Sequence, residues 1–137
     1  MSEKLVVGAK ASLKKSFSDQ DVRKFAEVSE DANPIHLDEA AASESIFKQR
    51  VVHGALVSSL FSAILGCDLP GQGTIFLGQT VSFKAPVFLN EEIEASVEVM
   101  SIHPKRAIVT FKLLALNPQG KVVIEGEAKV MALKHLI

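Results

Sequence analysis

The chain has one cysteine, Cys67, so no intramolecular disulfide can form and no cysteine-rich zinc set exists. We read Cys67 as a small buried apolar residue. There is no excess of either charge: 15 basic against 16 acidic residues leave a formal net charge of -1, which argues against a nucleic-acid surface. No run reaches the ~20 apolar residues that a bilayer span requires. The longest apolar stretch, Gly54 to Cys67, is interrupted by Ser58, Ser59 and Ser62. The opening MSEKLVVGAK lacks the apolar core of a secretory signal, and the final KHLI is not the peroxisomal S-K-L address. The expectation is a cytoplasmic protein with neither a membrane nor a nucleic-acid partner. No repeat, low-complexity tract or linker divides the 137 residues, so 1–137 is read as a single domain, a length that can bury a real core. The motifs of phosphate loops and of nucleophilic serines are also missing: Gly71-x-Gly73 precedes a strand and has no following G-K-[ST], and no G-x-S-x-G occurs.

What is present falls into two halves that meet near Leu69-Pro70-Gly71-Gln72-Gly73. The first half reads as helical. Leu5 to Gly8 and Ala11 to Phe17 are expected to pair as short strands. Ser18 then opens an S-x-x-D capping box with Asp21, and Val22, Phe25 and Ala26 form an apolar stripe at helical spacing. Asn33-Pro34 stops that helix, because the residue before proline is pushed out of the α region. Asp38 can cap a second helix over Glu39 to Ser43. The stretch ALVSSLFSAIL carries no charge and reads as a helix buried all round, with Gly66 as its stop.

The second half alternates. Ile93, Ala95, Val97 and Val99 interleave with Glu92, Glu94, Ser96 and Glu98, the period of a strand with one wet face. Thr74 to Ala85, Ala107 to Leu116 and Lys121 to Ala132 also read as strands. Pro86, Asn90-Glu91, His103-Pro104-Lys105 and Asn117-Pro118-Gln119-Gly120 separate them as turns. Strands near ten residues long imply a curved antiparallel sheet, and the apolar helix is what it can wrap. The class is α+β.

Two places could carry chemistry. In Asp31-Ala32-Asn33-Pro34-Ile35-His36, a carboxylate and an imidazole stand five residues apart across a turn. Such a pair can move a proton near neutral pH; equally, Asp31 can cap the turn while His36 packs. In Val52-His53-Gly54, a glycine opens the apolar helix, where free N–H groups and the positive dipole end can hold an oxyanion. Equally, Gly54 can relieve crowding where the helix meets the sheet, with His53 capping or packing. A metal set of Asp31, His36 and His53 is formally available, but no H-x-x-x-H pair or cysteine set accompanies it, and no metal is expected. His103 and His135 read as surface residues.

D-A-N-P-I-H-L-D followed by V-V-H-G and an apolar helix resembles the MaoC-like dehydratases, most closely their short (R)-specific enoyl-CoA hydratases. These supply (R)-3-hydroxyacyl-CoA from fatty-acid β-oxidation for polyhydroxyalkanoate synthesis. The likeness runs from Val7-Gly8 to about Val130 and includes Leu69-Pro70-Gly71-x-Gly73, Phe76-Leu77-Gly78-Gln79, Ser82-Phe83-Lys84-x-Pro86-Val87 and Gly126-Glu127-Ala128. It implies the hot-dog fold, a curved sheet around a central helix. It implies Asp31 and His36 as catalytic dyad and the Gly54 N–H facing the thioester carbonyl. Asn33 would shape the dyad's turn, His53 would belong to the substrate site, and Ser62, Leu65 and Val130 would line a pocket for short acyl chains. It implies reversible hydration of trans-2-enoyl-CoA by a homodimer, without a cofactor beyond the CoA of the substrate. The alternatives are a dehydratase of (R)-3-hydroxyacyl thioesters on acyl carrier protein and a non-catalytic acyl-CoA-binding module.

Overall fold

Alternation in the second half becomes an antiparallel sheet, seen in a computed structural model that describes residues 3–137. Its strands are β1 (Lys10–Ser16), β2 (Ile75–Phe83), β3 (Glu92–His103), β4 (Ile108–Leu116) and β5 (Val122–Met131), in the order β1-β3-β4-β5-β2. The register sets like against like: Val97 faces Leu113 and Ala95 faces Ala115, while Phe111 faces Ala128 and Val109 faces Val130. These residues are fully or almost fully buried. Bulges at Phe76/Gly78 and Val99/Ser101 increase the local twist and bend the sheet. Gly126 is required where β5 meets β2, because a Cβ there would strike the Thr80 carbonyl.

The helices are α1 (Asp19–Ser29), α2 (Pro34–Leu37), α3 (Glu39–Ser43) and α4 (Gly54–Cys67). α1 starts at the expected capping box. Ser18 Oγ accepts from the Asp21 N–H at 3.1 Å, and Asp21 Oδ2 accepts from the Ser18 N–H at 3.0 Å. Asp38 caps α3, accepting from the N–H groups of Ala40 and Ala41. α4 lies against the sheet and buries Val57, Leu60, Phe61, Ile64 and Leu65.

Five expectations need correction. Leu5 to Gly8 does not form a strand; β1 pairs instead with β3, whose longer alternating edge offers more partners. Asn33-Pro34 does not end α1, which stops at Glu30 in the left-handed region (φ 67°); it begins α2, since proline suits a first helical position where no N–H is needed. α4 runs one residue past Gly66. Nor is α4 covered all round. Ala55, Ser59, Ser62, Ala63, Gly66 and Cys67 are exposed in the single chain, and their spacing places them on one face turned from the sheet. Cys67 is therefore exposed rather than buried. Among the described residues, no helix is long and apolar enough to cross a membrane.

Candidate active site

The site is assembled by α2 and by the five residues that lead into α4. Asn33 caps α2, its side-chain oxygen accepting from the Ile35 N–H at 3.2 Å, and Asp31 Oδ1 accepts from the Asn33 N–H at 3.3 Å. Both acceptances are local turns of the kind Asx residues favour. Asp31 is left exposed, while His36 is buried, 8% exposed.

His36 Nδ1 lies 2.7 Å from the Val51 carbonyl. A carbonyl can only accept, so Nδ1 carries the proton and Nε2 presents a bare lone pair. His53 Nε2 lies 2.9 Å from the backbone carbonyl of Asp31, so Nε2 donates there and Nδ1 stays outside that bond. That Nδ1 is buried and without a partner. The two imidazoles stack with centroids 3.8 Å apart and planes 26° apart, and Phe25 closes the far side of His53 edge-on at 4.7 Å. Burial above all holds the His36 pKa below its ordinary value; the neighbouring His53 adds to this, while the Val51 bond and the Asp31 carboxylate oppose it. His36 is thus a neutral imidazole, bare at Nε2, at neutral pH.

A carboxylate oxygen of Asp31, a ring nitrogen of His36 and one of His53 lie within 4.8 Å of one another. One water can bridge an acid and an imidazole over such a span, since each hydrogen bond covers ~2.8 Å. The same three groups do not fit a metal ion. Imidazole lone pairs lie in the ring plane, and two stacked rings with centroids 3.8 Å apart and planes only 26° apart cannot both aim in plane at one ion ~2.0–2.1 Å away.

Gly54 is the first residue of α4, and His53 supplies no side-chain cap. The first N–H groups of the helix are therefore open, at its positive end. Gly54 and Ala55 line a cleft of about 520 Å³ walled also by Ile35, His36, Val51, Phe83, Pro86 and Ile124. A Cβ on Gly54 would fall 2.7 Å from Cε1 of Phe83, so the glycine also relieves crowding between helix and sheet.

Asp31, Asn33, His36, His53 and Gly54 are thus brought together. Ser62, Leu65 and Val130 are not. Ser62 lies on the exposed face of α4, while Leu65 and Val130 are fully buried in the core, and none of the three lines the cleft. Two parts went unread in the sequence. One is the Val51 carbonyl, which has no side-chain signature. The other is Arg50, whose signal was a charge directly ahead of an apolar run. Its side chain is buried; Nε donates to the His36 carbonyl at 2.7 Å and Nη2 to Asp19 Oδ1 at 2.6 Å.

A curved sheet around one helix, with an acid and an imidazole gathered at that helix's N-terminus, is a hot-dog protein equipped to handle a proton. The chain belongs to the MaoC-like family: residues 6–115 match the MaoC-like domain. It is 45% identical to an (R)-specific enoyl-CoA hydratase of Aeromonas caviae, over 94% of this chain and 96% of that one. It is 43% identical to another of that name from Rhodospirillum rubrum, over 94% and 89%. A solved (R)-hydratase from A. caviae, described as involved in PHA biosynthesis, superposes with a TM-score of 0.93 at 44% identity, covering 96% of this chain and all of that one.

Proposed function

We propose that this protein is an (R)-specific enoyl-CoA hydratase, a hydro-lyase that adds water reversibly to trans-2-enoyl-CoA. The observation that carries the reading is a neutral, buried His36, its Nδ1 held by the Val51 carbonyl, with a ring nitrogen within 4.8 Å of an Asp31 carboxylate oxygen. The identity to hydratases over nearly the whole chain supports it. A water held between Asp31 and His36 gives one proton to Nε2 as its oxygen bonds to Cβ of the enoyl group. The double-bond electrons move toward the thioester oxygen, where the Gly54 N–H and the α4 dipole hold the charge. The proton then passes from Nε2 to Cα on the same face, which restores the imidazole. Asp31 accepts a hydrogen bond from the remaining O–H, which stays on oxygen as the 3-hydroxyl of the product, and its charge steadies the transient imidazolium. No metal or redox group takes part, since the thioester itself stabilises charge at Cα.

Asn33 shapes the turn that presents the dyad, and His53 holds it from behind. The acyl chain is short, about four to six carbons by family resemblance. Leu65 and Val130 do not line the open cleft; fully buried in the core, they are proposed as the floor that a longer chain would need smaller, while Ser62, on the exposed face of α4, is proposed on the family resemblance alone. Two copies associate through the uncovered face of α4 and the edge strand β2. The exposure of Ile75, Leu77 and Phe83 there and the small residues of α4 support a homodimer. A free, exposed Cys67 suits the reducing cytoplasm, and supply of (R)-3-hydroxyacyl-CoA for polyhydroxyalkanoate synthesis is the proposed role.

The test is the loss of enoyl-thioester ultraviolet absorbance with crotonyl-CoA, with the product captured by an (R)-specific dehydrogenase. Rapid loss and capture are expected. No loss with folded protein sinks the reading; turnover of the carrier-protein thioester instead, or binding without turnover, would establish an alternative. Leu65→Ala is expected to gain activity on an eight-carbon enoyl-CoA; no gain removes Leu65 from the pocket floor.

A further inference from the structure

α2 is a single turn, too short to hold itself by its own hydrogen bonds, yet it carries His36. All four of its carbonyls nevertheless have donors. Pro34 O accepts from the Asp38 N–H at 2.9 Å and Ile35 O from the Val51 N–H at 3.2 Å. His36 O accepts from Arg50 Nε at 2.7 Å and Leu37 O from Arg23 Nη2 at 3.3 Å. The last two donors are guanidinium groups, and both are tied to one carboxylate. Asp19 accepts from Arg50 Nη2 at 2.6 Å and from Arg23 Nε at 3.0 and 3.1 Å.

We propose that Arg50, anchored by Asp19, is a positioning residue for His36: the guanidinium locks the C-terminal end of α2 and thereby fixes where the imidazole points. Three arguments support this. A buried guanidinium is kept only where it is paired, and here the charge is matched by Asp19 and spent on a neutral carbonyl. Arg50 is adjacent to Val51, whose carbonyl takes the Nδ1 proton of His36, so one dipeptide grips both the backbone and the ring of the same residue. The fork of Nε and Nη2 spans the two acceptors at once, which a lysine ammonium cannot reproduce in that geometry.

The inference rests on the reading of His36 as the proton acceptor. Its test must therefore report on the ring as well as on turnover. Arg50→Lys keeps the charge and removes the fork. Asp19→Asn, at a half-exposed position, leaves Arg50 in place and weakens its anchor. Nitrogen NMR of the His36 ring gives its tautomer and titration. The groups facing that ring are Asp31 on the preceding loop, His53 ahead of α4 and, beyond its backbone, Arg50, Asp19 and Arg23; Lys84 lies on the opposite wall of the cleft. In both variants we expect a loss of the fixed Nδ1–H form and a His36 titration displaced upward, toward the ordinary imidazole value, as the ring meets water. For crotonyl-CoA we expect kcat to fall about tenfold in Arg50→Lys, as misplaced catalytic groups do, with KM within about twofold and a smaller loss in Asp19→Asn. A purely structural role would lower melting temperature and active fraction without moving the titration. An unchanged His36 spectrum in a folded variant overturns the proposal, and if Arg50→Lys does not fold, Asp19→Asn decides. Should the unaltered protein fail to hydrate crotonyl-CoA, the function falls, while the ring spectra still judge the clamp.

Discussion

The sheet and the site-bearing segment 30–54 are held together by opposite means. In β3, β4 and β5 the same apolar alternation recurs, and burial of Val97, Val99, Phe111 and Leu113 ties strands that are distant in sequence. In segment 30–54 few side chains are large and apolar. Individual polar bonds fix it: His36 to Val51, His53 to Asp31, Arg50 to His36. The sheet distributes its stability over many contacts, so that one change is diluted. The segment concentrates function in single contacts, so that one change removes it. Damage to the first should appear as lost stability, and damage to the second as lost rate.

The sharpest contrast comes from Asp31→Asn. The side chain is exposed, and the bond to His53 uses the backbone carbonyl, which the substitution keeps. Activity is expected to drop roughly 10²–10⁴-fold, the range for an acid–base group, with the melting temperature within a degree or two. Equal losses of both would erase the distinction between the regions. Next is Gly54→Pro, which removes the N–H at a first helical position that tolerates proline. Gly54→Ala is its control, because it crowds Phe83 in the same way and keeps the donor. The proline variant should turn over roughly 10²–10³-fold more slowly than the alanine variant; similar rates would show that this N–H holds no charge.

Leu113→Ala tests the other region. Truncating a fully buried leucine should cost about 2–5 kcal/mol in denaturant unfolding and leave kcat per folded molecule unchanged. A lower kcat in the remaining folded fraction would mean that the sheet shapes the site. The smallest effect is that of pH. His36 titrates below its ordinary 6.5, chiefly through burial, so its neutral form outlasts that of a free imidazole. The acid limb of kcat/KM should therefore lie below pH 6.5. For stability, the unfolded chain gains a proton on this residue before the folded one does. This contribution thus weakens as pH falls from 6.5 toward the folded value, then levels off. An acid limb above 6.5 would place the essential base elsewhere.

The same contrast explains what could be read beforehand. Period-two alternation in Ile93 to Val99 and the turn at Asn117-Pro118-Gln119-Gly120 identified the sheet, because each strand announces its wet and dry faces locally. Ser18 and Asp38 identified two helix starts, since caps are local too. α2 was missed because one turn has no periodicity and Asn33-Pro34 signals a stop as readily as a start. Cys67 was misplaced because an apolar helix composition does not say which face a single chain leaves uncovered. In the site, Asp31, His36 and Gly54 were legible as residue types suited to proton transfer and charge binding. The contacts that aim them were not. The Val51 carbonyl is common to all residues, and Arg50 becomes meaningful only when folding sets it against the end of α2.

Residues 50–54 serve the ring of His36, the backbone of Asp31 and the mouth of α4 within five consecutive positions. Such a compact inheritance should be brittle to insertion or deletion and indifferent to what happens a few ångströms away. Pro86 and Ile124, which wall the cleft from other parts of the chain, can change size without disturbing that unit, whereas Phe83, packed against Gly54, cannot. A lineage built on this scaffold is thereby free to wander in the molecules it accepts while its chemistry stays constant.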